Sequence, residues 1–163
     1  MKEVKYQQKY IKKITDTALD FFQDKYQTNN TIILQAPTGS GKTYMISQVL
    51  TQITKQSKAS FSFIWISVNS LHEQSRHNLT YYLETERLLE CITIDDIQNN
   101  TIGENEIVFI NWDSLIKDNN VFRMDNESYW NLESVVANIK EEGREIILII
   151  DESHRTAKAE KAL

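Results

Sequence analysis

Apolar positions along this 163-residue chain follow two alternating rhythms. In residues 4–22, Tyr10, Ile11, Ile14, Ala18 and Phe22 recur at the three- and four-residue spacing of a single helix face. A polar turn at 28–30 leads into a short apolar run, 31–35, that predicts a strand. The rhythm then turns helical again over 43–57, with Ile46, Val49, Leu50 and Ile53 on one side. β-Branched and aromatic residues predict a second strand at 60–67, and a helix is expected over 71–84. Two further strands are read at 88–94 and 106–110, separated by a polar segment containing Gly103. An amphipathic helix follows at 129–142, with Leu132, Val135, Val136 and Ile139 inward and Gly143 as its stop. The fifth strand, 144–150, is the most hydrophobic, which predicts a place in the middle of the sheet, covered on both faces. Strands alternating with helices define an α/β fold with a parallel sheet.

Composition adds little until the rare residues are located. The chain has 40% hydrophobic and 25% charged residues, ordinary values for a domain with a packed core. It holds only four glycines and one proline, and Pro37, Gly39 and Gly41 stand almost side by side. The single cysteine, Cys91, excludes an intramolecular disulfide and fits a reducing, cytoplasmic setting. No apolar run approaches the length of a membrane span, and no membrane association is expected. The net charge of −5 is unevenly spread: residues 1–83 carry ten Lys/Arg against five Asp/Glu, and residues 84–163 carry eight against eighteen. A nucleic-acid surface would therefore belong to the first half.

The cluster of special residues is a phosphate cradle. Ala36-Pro37-Thr38-Gly39-Ser40-Gly41-Lys42-Thr43 fits the P-loop pattern, with alanine in place of the first glycine. Small residues let successive backbone N–H groups turn inward around phosphates, and the following helix aims its positive end at them. Thr38, Gly39, Ser40 and Gly41 form the loop, Lys42 supplies a cation for the β- and γ-phosphates, and the Thr43 hydroxyl is a Mg²⁺ ligand. The motif follows an apolar run and opens an amphipathic helix, which is the context the pattern requires. ATP and Mg²⁺ are the expected ligands.

Asp151 and Glu152 follow the apolar strand directly, at the carboxyl end where α/β folds bind their ligands. Asp151 is placed to hold Mg²⁺ through its water shell. Glu152 is placed to orient and deprotonate an attacking water, a role that a P-loop kinase, which must keep water from the γ-phosphate, would not tolerate. Lys42, Asp151 and Glu152 are thus the expected catalytic residues.

Asp151-Glu152-Ser153-His154 resembles the D-E-x-H box of superfamily 2 helicases, and its spacing from the P-loop is similar to theirs. Residues 67–74 resemble motif Ia of those proteins: Leu71 and Gln74 match, whereas the Pro-Thr-Arg part is replaced by Ser67-Val68-Asn69. Residues 107–115 resemble the strand and turn that face nucleic acid. The Asn111-Trp112 variant of that turn is most similar to the Res subunit of type III restriction enzymes, as is Tyr6-Gln7 near the start. The resemblance spans nearly the whole chain. It implies a RecA-like parallel sheet flanked by helices, with residues 1–163 forming an N-terminal ATP-binding lobe that is incomplete at its C-terminus. It also implies a coupling role for His154, nucleic-acid contacts for Asn69, Ser70 and Asn111, and an adenine contact for Gln7, with Gln8 as the competing candidate.

A motif III strand and a second RecA-like lobe in cis are expected beyond residue 163. The strand's place lies between 31–35 and 146–150, so both of these are expected to present unpaired edges, and the segment alone is expected to be inactive. The implied function is an ATP-dependent helicase or translocase on DNA, with RNA open as a track and a methyltransferase subunit as a partner. The alternative from another class is a nucleotide-dependent binding or regulatory P-loop protein without motor activity. Plainer readings hold elsewhere: His72 and His77 do not share a helix face, and Trp65 and Trp130 are expected in the core.

Overall fold

A computed structural model describes residues 4–23, 30–68, 71–112 and 132–151. Among these residues four helices, α1 (Lys5–Gln23), α2 (Lys42–Gln56), α3 (Leu71–Leu83) and α4 (Leu132–Glu141), flank four strands, β1 (Phe61–Ser67), β2 (Glu90–Ile92), β3 (Glu106–Asn111) and β4 (Glu145–Ile150). The strands form one parallel sheet in the order β2-β3-β1-β4. Phe63 stands opposite Ile107 on one side and Ile147 on the other, which fixes the register across the three long strands.

Because side chains alternate across a pleated strand, each strand contributes to two cores. On one face Phe61, Phe63, Trp65, Ile107 and Phe109 meet Ile11 and Ala18 of α1, Met45, Val49, Leu50 and Ile53 of α2, and Leu79 and Leu83 of α3. Trp65 and Phe109 stack with ring centroids 5.7 Å apart, and Phe22 meets Phe61 edge to face at 5.0 Å. On the other face Ile64, Ile66, Val108 and Ile110 pack beneath Val135 and Ile139 of α4. The inward positions expected for α2 and α4 are those that pack, and Trp65 is a core residue. Trp130 lies outside the described residues.

Three expectations are corrected. Residues 31–37 adopt no regular structure and join no strand of the described sheet, although the run is rich in β-formers; Ile33 is 84% exposed. A strand exists by virtue of its hydrogen-bonded neighbour, and this segment has none among the described residues. β4 is not central but ends the described sheet, with Leu148 52% and Ile150 45% exposed. An unbroken apolar run predicts burial, but its position in the strand order depends on long-range pairing that periodicity does not contain. Of the two unpaired strand edges expected, the one at 146–150 is present on β4 among the described residues, whereas 31–35 forms no strand and so presents no strand edge. Finally, β2 has only three residues, because Thr93 and Asp96 form a capping box that turns the chain into a single 3-10 turn, Ile94–Asp96.

The opposite end of the sheet from the P-loop is tightly tied. Arg144 donates from Nε to Ser62 Oγ (3.1 Å) and from Nη2 to Thr101 Oγ1 and the Ile102 carbonyl (both 2.9 Å), and it also pairs with Glu142. No helix among the described residues is long and apolar enough to cross a membrane.

Candidate nucleotide-binding site

The loop that opens α2 takes its shape from two glycines. Gly39 (φ +78°) and Gly41 (φ +84°) are both left-handed, a conformation that costs an L-residue about 1–2 kcal/mol. Gly41 is the N-cap of α2 and caps it with no side chain. The first N–H groups of a 15-residue helix therefore face outward beside the loop, together with the positive end of its dipole. The turn is closed by the Ser40 N–H donating to the Pro37 carbonyl at 3.2 Å.

Lys42 is the first residue of α2, and its ammonium folds back over the loop. Nζ donates to the Ala36 carbonyl at 3.0 Å and to the Pro37 carbonyl at 3.3 Å. The cation is thus held across the mouth of the cradle, where phosphate oxygens would meet it. Thr43 follows as the second helical residue, half-buried. Thr38 and Gly39 are exposed, and the Ser40 hydroxyl is buried without a partner among the described residues.

α1 reaches this loop from beneath. Gln7, only 6% exposed, donates from Nε2 to the Ser40 carbonyl at 3.0 Å, while its Oε1 accepts from the Val4 N–H at 3.2 Å. Tyr6 donates its hydroxyl to the same carbonyl at 2.6 Å. Of the two candidate glutamines, Gln7 touches the P-loop and Gln8 is exposed. The closeness of the fit shows at Gly41, where a Cβ would stand 2.6 Å from Gln7 Nε2.

The second half of the site lies at the carboxyl ends of the strands. Asp151 extends β4 by one residue, its N–H donating to the Ile66 carbonyl of β1 at 2.8 Å. Ile147 and Ile149 pack on the α2 side of the sheet, so the alternation that places them there directs Asp151 to that side as well. By the same alternation Ser67 and Asn111, paired in register, follow Trp65 and Phe109 to that face. Asp151 Oδ2 accepts a hydrogen bond from Ser75 Oγ of α3 at 3.1 Å. The Ser67 hydroxyl is fully buried and has no partner among the described residues.

Glu152 and His154, and the motif Ia-like pair Asn69 and Ser70, lie outside the described residues. Ser75 is the site residue that the motifs did not single out, and Tyr6, named in the Tyr6-Gln7 resemblance, has no role of its own there. Ser75 carried one faint signal: with Leu79 and Leu83 it forms an i, i+4, i+8 stripe, a small polar residue on the buried face of a helix. The perturbed ionisations lie away from the cradle. The Arg76 guanidinium holds the Glu73 carboxyl below its ordinary range, and Thr93 does the same for Asp96. Burial pushes the Cys91 thiol up.

The residues fit a magnesium nucleotide. They offer an uncapped helix N-terminus, two left-handed glycines, a cation over the loop, a buried unpartnered hydroxyl at Ser40 and a carboxylate on the same side of the sheet. Such a cradle opening a helix against a parallel α/β sheet defines a RecA-like P-loop NTPase domain. The family model described as type III restriction enzyme, res subunit, matches residues 1–162, and the chain belongs to that family. It is an ATP-binding, helicase-like lobe of the superfamily 2 type. No curated protein and no solved structure gives a significant match to the chain.

Proposed function

We propose that this lobe binds Mg·ATP and, within the intact protein, hydrolyses it to drive translocation on DNA, as a component of a type III restriction enzyme-like system. The observation that carries the reading is the P-loop itself, with Lys42 held across the mouth of the cradle by the carbonyls of Ala36 and Pro37. In this reading backbone N–H groups of residues 38–43 and the Lys42 ammonium bind the triphosphate. Thr43 and Asp151 hold the metal, Asp151 through water. The bound Mg²⁺ supplies positive charge against the β- and γ-phosphate oxygens.

Glu152 accepts the proton of the attacking water, and His154 couples that event to motion. Asn69, Ser70 and Asn111 contact the track. Gln7 and Tyr6 brace the loop through the Ser40 carbonyl, and the adenine contact falls to Gln7 or its neighbour Gln8. A second RecA-like lobe in cis completes the nucleotide site, and a methyltransferase subunit is the partner that the family name suggests.

The test uses the intact protein. Lys42→Ala should abolish Mg·ATP binding, whereas Glu152→Gln should bind ATP but lose about 10²–10⁴-fold in hydrolysis, the usual worth of a general base. Duplex DNA should raise wild-type turnover, and salt should suppress the rise because phosphate contacts hold the track. Equal ATP affinity in wild type and Lys42→Ala would overturn the site. Turnover indifferent to DNA and RNA would overturn the motor.

A further inference from the structure

We propose that Ser75 is a positioning residue for the metal-side carboxylate: its hydroxyl fixes the orientation of Asp151 and thereby ties helix α3 to the nucleotide site. The inference rests on the nucleotide reading above and adds to it an element that the P-loop and the D-E-x-H box do not contain.

The first support is how Ser75 uses its proton. Helical hydroxyls ordinarily donate back to the carbonyl one turn earlier. Thr17, Thr51, Thr54 and Thr80 all do so, to Lys13, Ser47, Leu50 and Arg76, each at 2.9 Å. Ser75 instead donates across the fold to Asp151 Oδ2, 76 positions away in sequence, at 3.1 Å. It is 7% exposed, so water competes little for that bond.

The second support is what remains free to move at Asp151. Its backbone is already tied to β1 by the N–H bond to the Ile66 carbonyl. With the main chain fixed, the torsions of the side chain decide where the other oxygen, Oδ1, points. The bond to Ser75 restricts those torsions and commits Oδ2, so that Oδ1 would be the oxygen left to hold the metal's water shell. α3 itself begins at Leu71, within the motif Ia-like segment 67–74. A shift of this helix on the track side would therefore be felt at Asp151 through a single hydrogen bond.

The experiment titrates Mn²⁺ into the complex of intact protein and ATP, with bound Mn²⁺ followed by its electron paramagnetic resonance signal, for wild type, Ser75→Ala, Ser75→Thr and Lys42→Ala. ATP affinity without divalent ions is measured alongside. Alanine is the best helix former, so Ser75→Ala should keep the helix. It should weaken Mn²⁺ binding about tenfold, the lower end of what loss of an outer-shell partner costs a metal site. Metal-free ATP affinity, which the P-loop carries, should not change, and Ser75→Thr, which keeps the hydroxyl, should titrate within about twofold of wild type.

A Ser75→Ala titration that superimposes on wild type, while Lys42→Ala loses ATP as expected, overturns the role of Ser75 and leaves the nucleotide site standing. Equal loss in Ser75→Ala and Ser75→Thr also overturns it, since packing rather than the hydroxyl would then matter. If wild type bound no Mn²⁺·ATP at all, the nucleotide reading would fall and take the role of Ser75 with it.

Discussion

Gly41→Ala should damage this protein far more than Gly39→Ala, although both glycines are left-handed and stand two residues apart. The backbone penalty is shared: at φ +84° and φ +78° an alanine costs about 1–2 kcal/mol in the folded state. The gain from stiffening the unfolded chain, about 0.4–1 kcal/mol, is shared as well. What differs is the space. A Cβ at Gly39 meets nothing within 4 Å, whereas a Cβ at Gly41 stands 2.6 Å from Gln7 Nε2. A glutamine tip would usually move aside, but this one is buried and tied at both ends, to Ser40 O and to the Val4 N–H. Moving it breaks the bond to Ser40 and leaves a buried amide short of a partner, an extra cost of about 1–3 kcal/mol.

Urea unfolding of wild type, both single variants, Gln7→Ala and the double variant Gln7→Ala/Gly41→Ala measures each term. The extra cost at Gly41 should disappear in the Gln7→Ala background, giving a coupling of about 1–3 kcal/mol. ATP affinity should fall further in Gly41→Ala than in Gly39→Ala, because the displaced amide supports the loop from below. Additivity within about 0.5 kcal/mol would refute the claim that α1 braces the P-loop through Gln7.

Two further expectations concern the rest of the fold. Arg144→Ala should lower stability by about 2–4 kcal/mol in urea unfolding, since it removes charge-assisted bonds to Ser62, Thr101 and Ile102. Arg144→Lys should restore little of that because it lacks the fork, and recovery to near wild type would count against the network. Cys91 should resist alkylation at neutral pH in the folded protein, its thiol being raised above the ordinary 9.0 chiefly by burial. Since the folded state holds this proton more tightly than the unfolded chain, the contribution is intact below the ordinary value and is lost as pH climbs towards the raised one. Rapid stoichiometric labelling at pH 7 without unfolding would contradict the burial.

The cradle was legible because it is local. Three special residues within five positions, followed by Lys42 and Thr43, favour a loop with left-handed backbone at Gly39 and Gly41, and the brace from Tyr6 and Gln7 is added to that local shape. The faces of α2 and α4 were legible for a related reason: helical periodicity records which side is covered. Strand order is not local. The run 144–150 was read as central on its hydrophobicity, yet among the described residues β4 pairs with β1 alone, and Leu148 and Ile150 stay exposed. Residues 31–35 have strand composition but no strand to join. Ser75 escaped because a serine on a helix has many uses. Only the tertiary approach of β4 shows that its proton goes to Asp151.

The two ends of the sheet differ in how they treat polar groups, and the difference explains why the chemistry sits where it does. At the amino-terminal end, buried donors and acceptors are spent on one another. Ser62 accepts from Arg144 and donates to the carbonyls of Ile102 and Gly103, and main-chain bonds join Asn105 to Phe61 and Glu145 to Ser60. That end is a clamp. At the carboxyl end of β1 the Ser67 hydroxyl is buried with no partner among the described residues, as is that of Ser40 in the P-loop; further unmet groups lie at Thr15, Trp65, Arg76 and Trp112. An unmet buried hydroxyl costs about 1–3 kcal/mol, so Ser40 and Ser67 are held open at a cost to stability. The end that registers the strands is closed by its own hydrogen bonds, whereas Ser67 at the carboxyl end of β1 and Ser40 in the P-loop stay uncommitted. The Ser75–Asp151 bond is the place where part of that uncommitted end has been fixed in advance.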